Sequence, residues 1–209
     1  MKKEKMSLNE VVKSTLSLLL VIFIVASITS LSAGGVETAT YCDTLTFAGK
    51  GLKDNHTLPL FDPGLGRLVD VGLAVDLGVL QNYSLENEEN EAHEVSAKSE
   101  SVLMITLPDG RSIPINASSA INEKLAAYDG KTDFAGASGK RIEASSKGTF
   151  QEKYQELSDF TASFQNETIS LPVDISFTSS TSGSLVFRLS TIAESKVCVT
   201  YTYEPDGSG

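Results

Sequence analysis

The chain has no tryptophan, and only two histidines and two cysteines in 209 residues. Each shortage excludes something. Without Trp, a sugar-binding face has to stack its ligand on tyrosine. Tyr83, Tyr128 and Tyr154 are the rings left for that role once Tyr201 and Tyr203 are assigned to a core. So few His and Cys residues build no Cys/His zinc cluster. His56 and His93 are the only imidazole bases, and neither lies in a context that selects it for serine or metal chemistry, so both read as exposed side chains near turns. Cations are scarce too. Seventeen Lys and Arg face 27 Asp and Glu, a net charge of −10. Nucleic acid needs clustered Lys and Arg to neutralise its phosphates, so an acidic chain of this kind is not expected to bind it.

Four of the lysines, Lys2, Lys3, Lys5 and Lys13, precede a stretch from Ser14 to Val36 that carries no charge. A basic start, an apolar centre and the small residues Ser32, Ala33, Gly34 and Gly35 predict a secretory signal cleaved near Ala33. The same run is long enough to span a bilayer as an uncleaved anchor helix. Both readings place the remainder outside the cytoplasm, at the cell surface or beyond it. The expected organisation is therefore a signal peptide or signal anchor over residues 1–33, a short linker over 34–40, one β domain over 41–204 and a tail over 205–209. Removing residues 1–33 takes away four Lys and two Glu and moves the net charge from −10 to −12.

An oxidising compartment gives the two cysteines a role. Around Cys42, the residues Tyr41, Leu45 and Phe47 alternate with Cys42, Thr44 and Thr46. Around Cys198, the residues Val197, Val199, Tyr201 and Tyr203 oppose Cys198, Thr200 and Thr202. Period-two alternation sends the aliphatic and aromatic set into a core and the Thr/Cys set outward. A Cys42–Cys198 disulfide would then tie the first strand of the domain to its last.

Between them the chain reads as many short strands. Val69, Val71, Leu73, Val75, Leu77 and Val79 make one apolar face of a long strand over 66–83. Further strands are expected over 102–107, 169–177, 185–189 and 197–203, with a short helix over 119–127. Residues 142–154 are weakly patterned, and Tyr154, Leu157, Phe160 and Phe164 fit helix or strand spacing equally. The acidic run 86–94 reads as a solvated loop. Short strands separated by Gly, Pro and Asp turns, without alternating helices, predict an all-β antiparallel sandwich or jelly roll.

Site chemistry is thin. Gly139-Lys140 fails as a phosphate loop, because Phe134 stands where the first glycine belongs and Arg141 where Ser or Thr should follow. Ser138 is no nucleophile elbow, its second glycine coming one position early. Calcium is the one ion to carry, with Asp129 and Asp133, and beside them Asp62 and Asp70, in or next to glycine-rich turns. Asp and Gly also form turns for their own reasons, and no EF-hand spacing is present. Sequons at Asn55, Asn82, Asn116 and Asn166 are candidate glycosylation sites.

Three motifs are familiar. Leu58-Pro-Leu-Phe-Asp-Pro-Gly-Leu-Gly66 before a long alternating strand, Ala127-Tyr-Asp-Gly-Lys-Thr-Asp-Phe-Ala-Gly-Ala-Ser-Gly139, and the closing Val199-Thr-Tyr-Thr-Tyr203 together resemble the choice-of-anchor E domain. The resemblance runs from Thr44 to Tyr203. It implies an exported surface domain of unknown molecular role, with no catalytic residues to carry over. No cofactor is expected beyond the calcium candidates, and other surface proteins or glycans are the candidate partners. Such domains are followed by a C-terminal sorting signal. Glu204 to Gly209 offers none, which leaves release, retention through the N-terminal segment, or attachment through other proteins. The expectation is a non-enzymatic structural or adhesive β-sandwich. The alternatives are a carbohydrate- or calcium-dependent binding module and, less favoured, a jelly-roll hydrolase or lyase.

Overall fold

The computed structural model describes residues 27–29, 35–49 and 52–206. Most of the expected leader, with its cleavage region, lies outside them. Nine strands follow in order: β1 (Ser27–Thr29), β2 (Glu37–Ala48), β3 (Leu52–Pro59), β4 (Gly66–Asn87), β5 (His93–Thr106), β6 (Ser112–Leu125), β7 (Gly139–Tyr154), β8 (Thr168–Ser182) and β9 (Leu185–Pro205). They form two antiparallel sheets, ordered β1-β2-β9-β4-β7 and β3-β8-β5-β6. The all-β sandwich expected from the turn spacing is what the chain builds. Two single 3-10 turns, Pro63–Leu65 and Ser158–Phe160, are its only helical elements among the described residues.

The pairing is nested. β5 pairs with β6, β4 with β7, β3 with β8 and β2 with β9. The chain is thus a ribbon doubled back at the β5–β6 turn and wrapped so that successive pairs fall alternately into the two sheets. Twist and alternation do the rest, since each strand sends every second side chain inward.

The core is split. Phe47, Leu58, Val71, Val75, Leu103, Ile175, Val199 and Tyr201 belong to a large cluster, and Tyr83, Leu85, Val95, Ala97 and Leu125 to a smaller one. Between them runs a polar belt. Gln81 donates to Ser99 at 3.1 Å, Ser119 donates to Gln81 at 2.7 Å, and the Tyr83 hydroxyl meets Ser119. Gln81, Tyr83 and Ser99 are buried, Ser119 is half-buried, and the four satisfy one another, so the belt ties β4 to both β5 and β6.

Several expectations change. The helix over 119–127 is strand through Leu125. Ala120, Glu123, Lys124 and Leu125 favour helix intrinsically, but β5 pairs with them residue for residue up to His93–Leu125, and that ladder overrides local preference. Residues 37–40, assigned to the linker, already belong to β2. The strands over 185–189 and 197–203 are one strand, β9, whose alternation never breaks. Val69 is exposed rather than core, because the register shifts between Leu68 and Asp70 and a bulge reverses its side. In the ambiguous segment Tyr154 ends β7, Phe160 is buried in a 3-10 turn and Phe164 points into solvent. Ser27–Thr29, at the end of the apolar run, pairs with β2 as a short strand.

One glycine sets how closely the sandwich shuts. A Cβ on Gly148 of β7 would stand 2.4 Å from the backbone oxygen of Asn116 on β6. Gly148→Val should therefore pry the two edges apart and destabilise by about 2–3 kcal/mol, read from urea midpoints. An unchanged midpoint would show that β6 and β7 yield freely.

Candidate functional site

Asp43 alternates with Tyr41 and Leu45 on the inward face of β2, and Ser195 sits inward on β9. The register puts Leu45 opposite Ser195, so Asp43 and Ser195 are diagonal neighbours on one sheet. His56 reaches them from β3, in the facing sheet. Its Nδ1 lies 3.1 Å from Asp43 Oδ2 and its Nε2 3.0 Å from Ser195 Oγ. Asp43 also accepts the backbone N–H groups of Thr44 at 2.9 Å and Thr57 at 3.0 Å. The carboxylate therefore orients the ring and at the same time satisfies an N–H on the edge of β3, a known way of blunting an exposed strand.

Asp on Nδ1 and Ser on Nε2 is the order of a catalytic triad. Here the order is sealed. His56 and Ser195 have no exposed surface, and only the outer edge of Asp43 reaches water. Ser195 lies in mid-strand rather than on a turn that would present it to a substrate. Burial lowers the His56 pKa, outweighing Asp43, whose charge and hydrogen bond pull it up. The neutral ring fits the site, donating from Nδ1 to Asp43 and accepting the Ser195 hydroxyl on Nε2. The reading of His56 as an exposed side chain near a turn is thus overturned. The ring is a buried bolt between sheets.

The second cluster gathers around the end of β4. Glu86 and Asn87, assigned by sequence to a solvated acidic loop, are fully buried, and only the residues after them are exposed. The segment between β6 and β7 folds over both. Glu86 Oε2 accepts the N–H of Phe134 at 2.6 Å. Asn87 donates to the carbonyls of Glu91 and Ala126, and its own N–H bonds Ser138 O at 2.9 Å. Phe134 is buried, with φ at 58° and the Arg188 guanidinium 4.8 Å above its ring. Gly139 is required here, because a Cβ would stand 2.3 Å from Ala135 N and 2.4 Å from the Glu86 carboxylate. The family-like motif over 127–139 is therefore a clip that closes one end of the sandwich.

Its two aspartates are exposed and spend an oxygen each on the loop itself. Asp129 accepts Lys131 N–H at 2.9 Å and Asp133 accepts Ala135 N–H at 3.0 Å. Asp62 caps the turn at Gly64, and Asp70 pairs with Lys153. Among the described residues no three His, Cys, Asp or Glu side chains converge to hold an ion. Asp129→Ala should lower the melting temperature by the same few degrees with and without calcium, as loss of one turn hydrogen bond requires. A calcium-dependent rise in wild type that the variant abolishes would make the loop an ion site.

Of the three rings considered for sugar stacking, two are taken up in packing and Tyr128 is half-buried. Tyr83 is buried in the smaller core. Tyr154 packs against Phe160 with ring centroids 4.6 Å apart, and Tyr128 hydrogen-bonds Thr132. Cys42 and Cys198 are directly opposite on β2 and β9, their Cα atoms 4.1 Å apart, and joined. All four sequon asparagines are exposed.

No family model matches the chain, and no curated protein matches it. Among solved structures it is similar to the Gt strain of infectious bursal disease virus, with 13% identity over 79% of this chain and 32% of that one and a TM-score of 0.25. A mutant VP2 protein of the same virus, in T=1 particles, is 11% identical over 78% of this chain and 36% of its own, again with a TM-score of 0.25. The chain thus spans about a third of the length of these proteins. Likeness at this level says nothing about what the chain does.

Proposed function

We propose that this chain is a non-enzymatic structural module of the exported cell-surface kind, a jelly roll whose work is to hold its shape. The nested pairing of strands β2 through β9 into sheets ordered β1-β2-β9-β4-β7 and β3-β8-β5-β6 is the wrapping that a jelly roll requires. The observation that carries the reading is the disulfide between the first and last long strands, closed around a core that also locks away the one acid–base–hydroxyl trio described. A disulfide of this kind persists outside the reducing cytoplasm. The basic, apolar N-terminal segment and the likeness to the choice-of-anchor E motifs support the same location. Its partners would be other surface proteins or glycans, with the membrane touched only through the N-terminal segment.

The test is chemical. A serine-reactive fluorophosphonate applied to the folded, oxidised protein should leave Ser195 unmodified. Labelling of Ser195 in the native state would reveal an opening to the trio and return the hydrolase reading. Fractionation of the source cells should recover the oxidised protein outside the cytoplasm.

A further inference from the structure

Of the large apolar side chains exposed among the described residues, Leu80, Ile192, Met104 and Phe164 each have a sequon nearby, while Val36, Leu65 and Val69 lie elsewhere. On the outer face of the β3-β8-β5-β6 sheet, the exposed Pro172, Met104 and Pro114 and the half-buried Val102 lie near the middle, beside an open groove of about 570 Å³ that Lys53, Asp54, Asn55 and Asp174 also line. Asn55 on β3 and Asn116 on β6 stand at the two margins of that face. On the outer face of the other sheet, Leu80 and Ile192 are cross-strand partners, both more than a third exposed, and Asn82 is the next outward residue on β4. Phe164, 76% exposed, is two residues from Asn166 in the loop before β8.

We propose that Asn55, Asn82, Asn116 and Asn166 carry N-linked glycans, and that these glycans cover the apolar patches beside them. A strand repeats its facing every second residue, so in three of the sequons the asparagine and the Ser or Thr it needs share the outward face: Asn55 with Thr57, Asn82 with Ser84, Asn116 with Ser118. Among the described residues neither Asn55 nor Asn116 uses its carboxamide in a hydrogen bond, so each is free to carry a sugar without loss to the fold. Apolar patches on an exported monomer invite association, and a bulky hydrated substituent next to each one blocks it. In the transfer, the carboxamide nitrogen attacks the anomeric carbon of a lipid-diphosphate-linked oligosaccharide. The new N–C bond forms as the C–O bond to phosphate breaks, the amide proton is lost, and the lipid diphosphate leaves.

This inference rests on the exported reading, because such donors act outside the cytoplasm. The experiment is intact-mass and glycopeptide analysis of the oxidised protein from the cells that make it, compared with Thr57→Ala, Ser84→Ala, Ser118→Ala and Thr168→Ala. Each variant keeps its asparagine and should lose one glycan mass, and the combined variant should self-associate at lower concentration than wild type by light scattering. Oxidised protein outside the cell with four bare asparagines would overturn the glycans and leave the export reading intact. Reduced, unmodified protein in the cytoplasm would overturn both.

Discussion

Replacing Cys42 and Cys198 by serine should cost the domain about 5 kcal/mol, the largest single loss available to it. The bridge spans 156 residues of sequence. In the chain-entropy view its effect lies in the unfolded state, where it removes the freedom of nearly the whole domain, and that effect grows with loop length. The two residues are opposite on neighbouring strands, so the bridge forms within the existing ladder. A total stability of roughly 5–15 kcal/mol is usual, so the serine variant should stand near the edge of folding at physiological temperature. Urea unfolding of the oxidised wild type and the variant measures it. A difference under about 1 kcal/mol would mean that the unfolded chain is held together by something other than the bridge.

Truncating His56 to alanine should cost about 3 kcal/mol, because two losses coincide. A cavity opens between the sheets, and both Asp43 and Ser195 lose a buried partner. Ser195→Ala removes only one hydroxyl and should cost about 1 kcal/mol. The trio also leaves a signature in pH. His56 titrates lower in the folded protein than in the unfolded chain, so the unfolded state binds more protons as pH falls below about 6.5. The stability held by the neutral ring is fully present above that value. It declines on acidification until the folded protein's own, lower pKa is passed. Melts between pH 7 and pH 5 should show this slope in wild type and a shallower one in His56→Ala. Equal slopes would mean that the ring is protonated in the fold without penalty.

The strands were legible wherever one face is apolar. Leu171, Val173 and Ile175 on β8, or Val197, Val199 and Tyr201 on β9, announce both the strand and its buried side. β3 was not legible, since Lys53, Asp54, Asn55 and Thr57 surround its inward pair, His56 and Leu58, and a polar window looks like a turn. One signal could have found the trio. Asp43 falls on the core face between Tyr41 and Leu45, and a carboxylate there demands donors. Glu86 gave no such sign. Its burial comes from a loop that meets it at Phe134, 48 residues further on, and folds over the end of β4, and period-two reading knows nothing of what lies above an outward face. The bulge at Leu68–Asp70 is invisible for the same reason, being set by the partner strand.

The position of the bridge also decides how the protein meets tension. Glu37 and Tyr203 are paired at the same end of the sandwich, so a pull on the two chain ends peels β2 from β9 one residue at a time. Five pairs, from Glu37–Tyr203 to Tyr41–Val199, part before the force reaches Cys42 and Cys198. There a covalent bond takes the load. The residues between the cysteines, with the smaller core, the polar belt and the His56 trio, lie outside the path of the force, while Ala39, Val199, Tyr201 and Tyr203 of the larger core lie on the segments that peel. Residues on either side of the bridge can lengthen, by about 3.5 Å each, and those inside it cannot. A protein pulled across this pair of strands would extend outside the bridge and then hold.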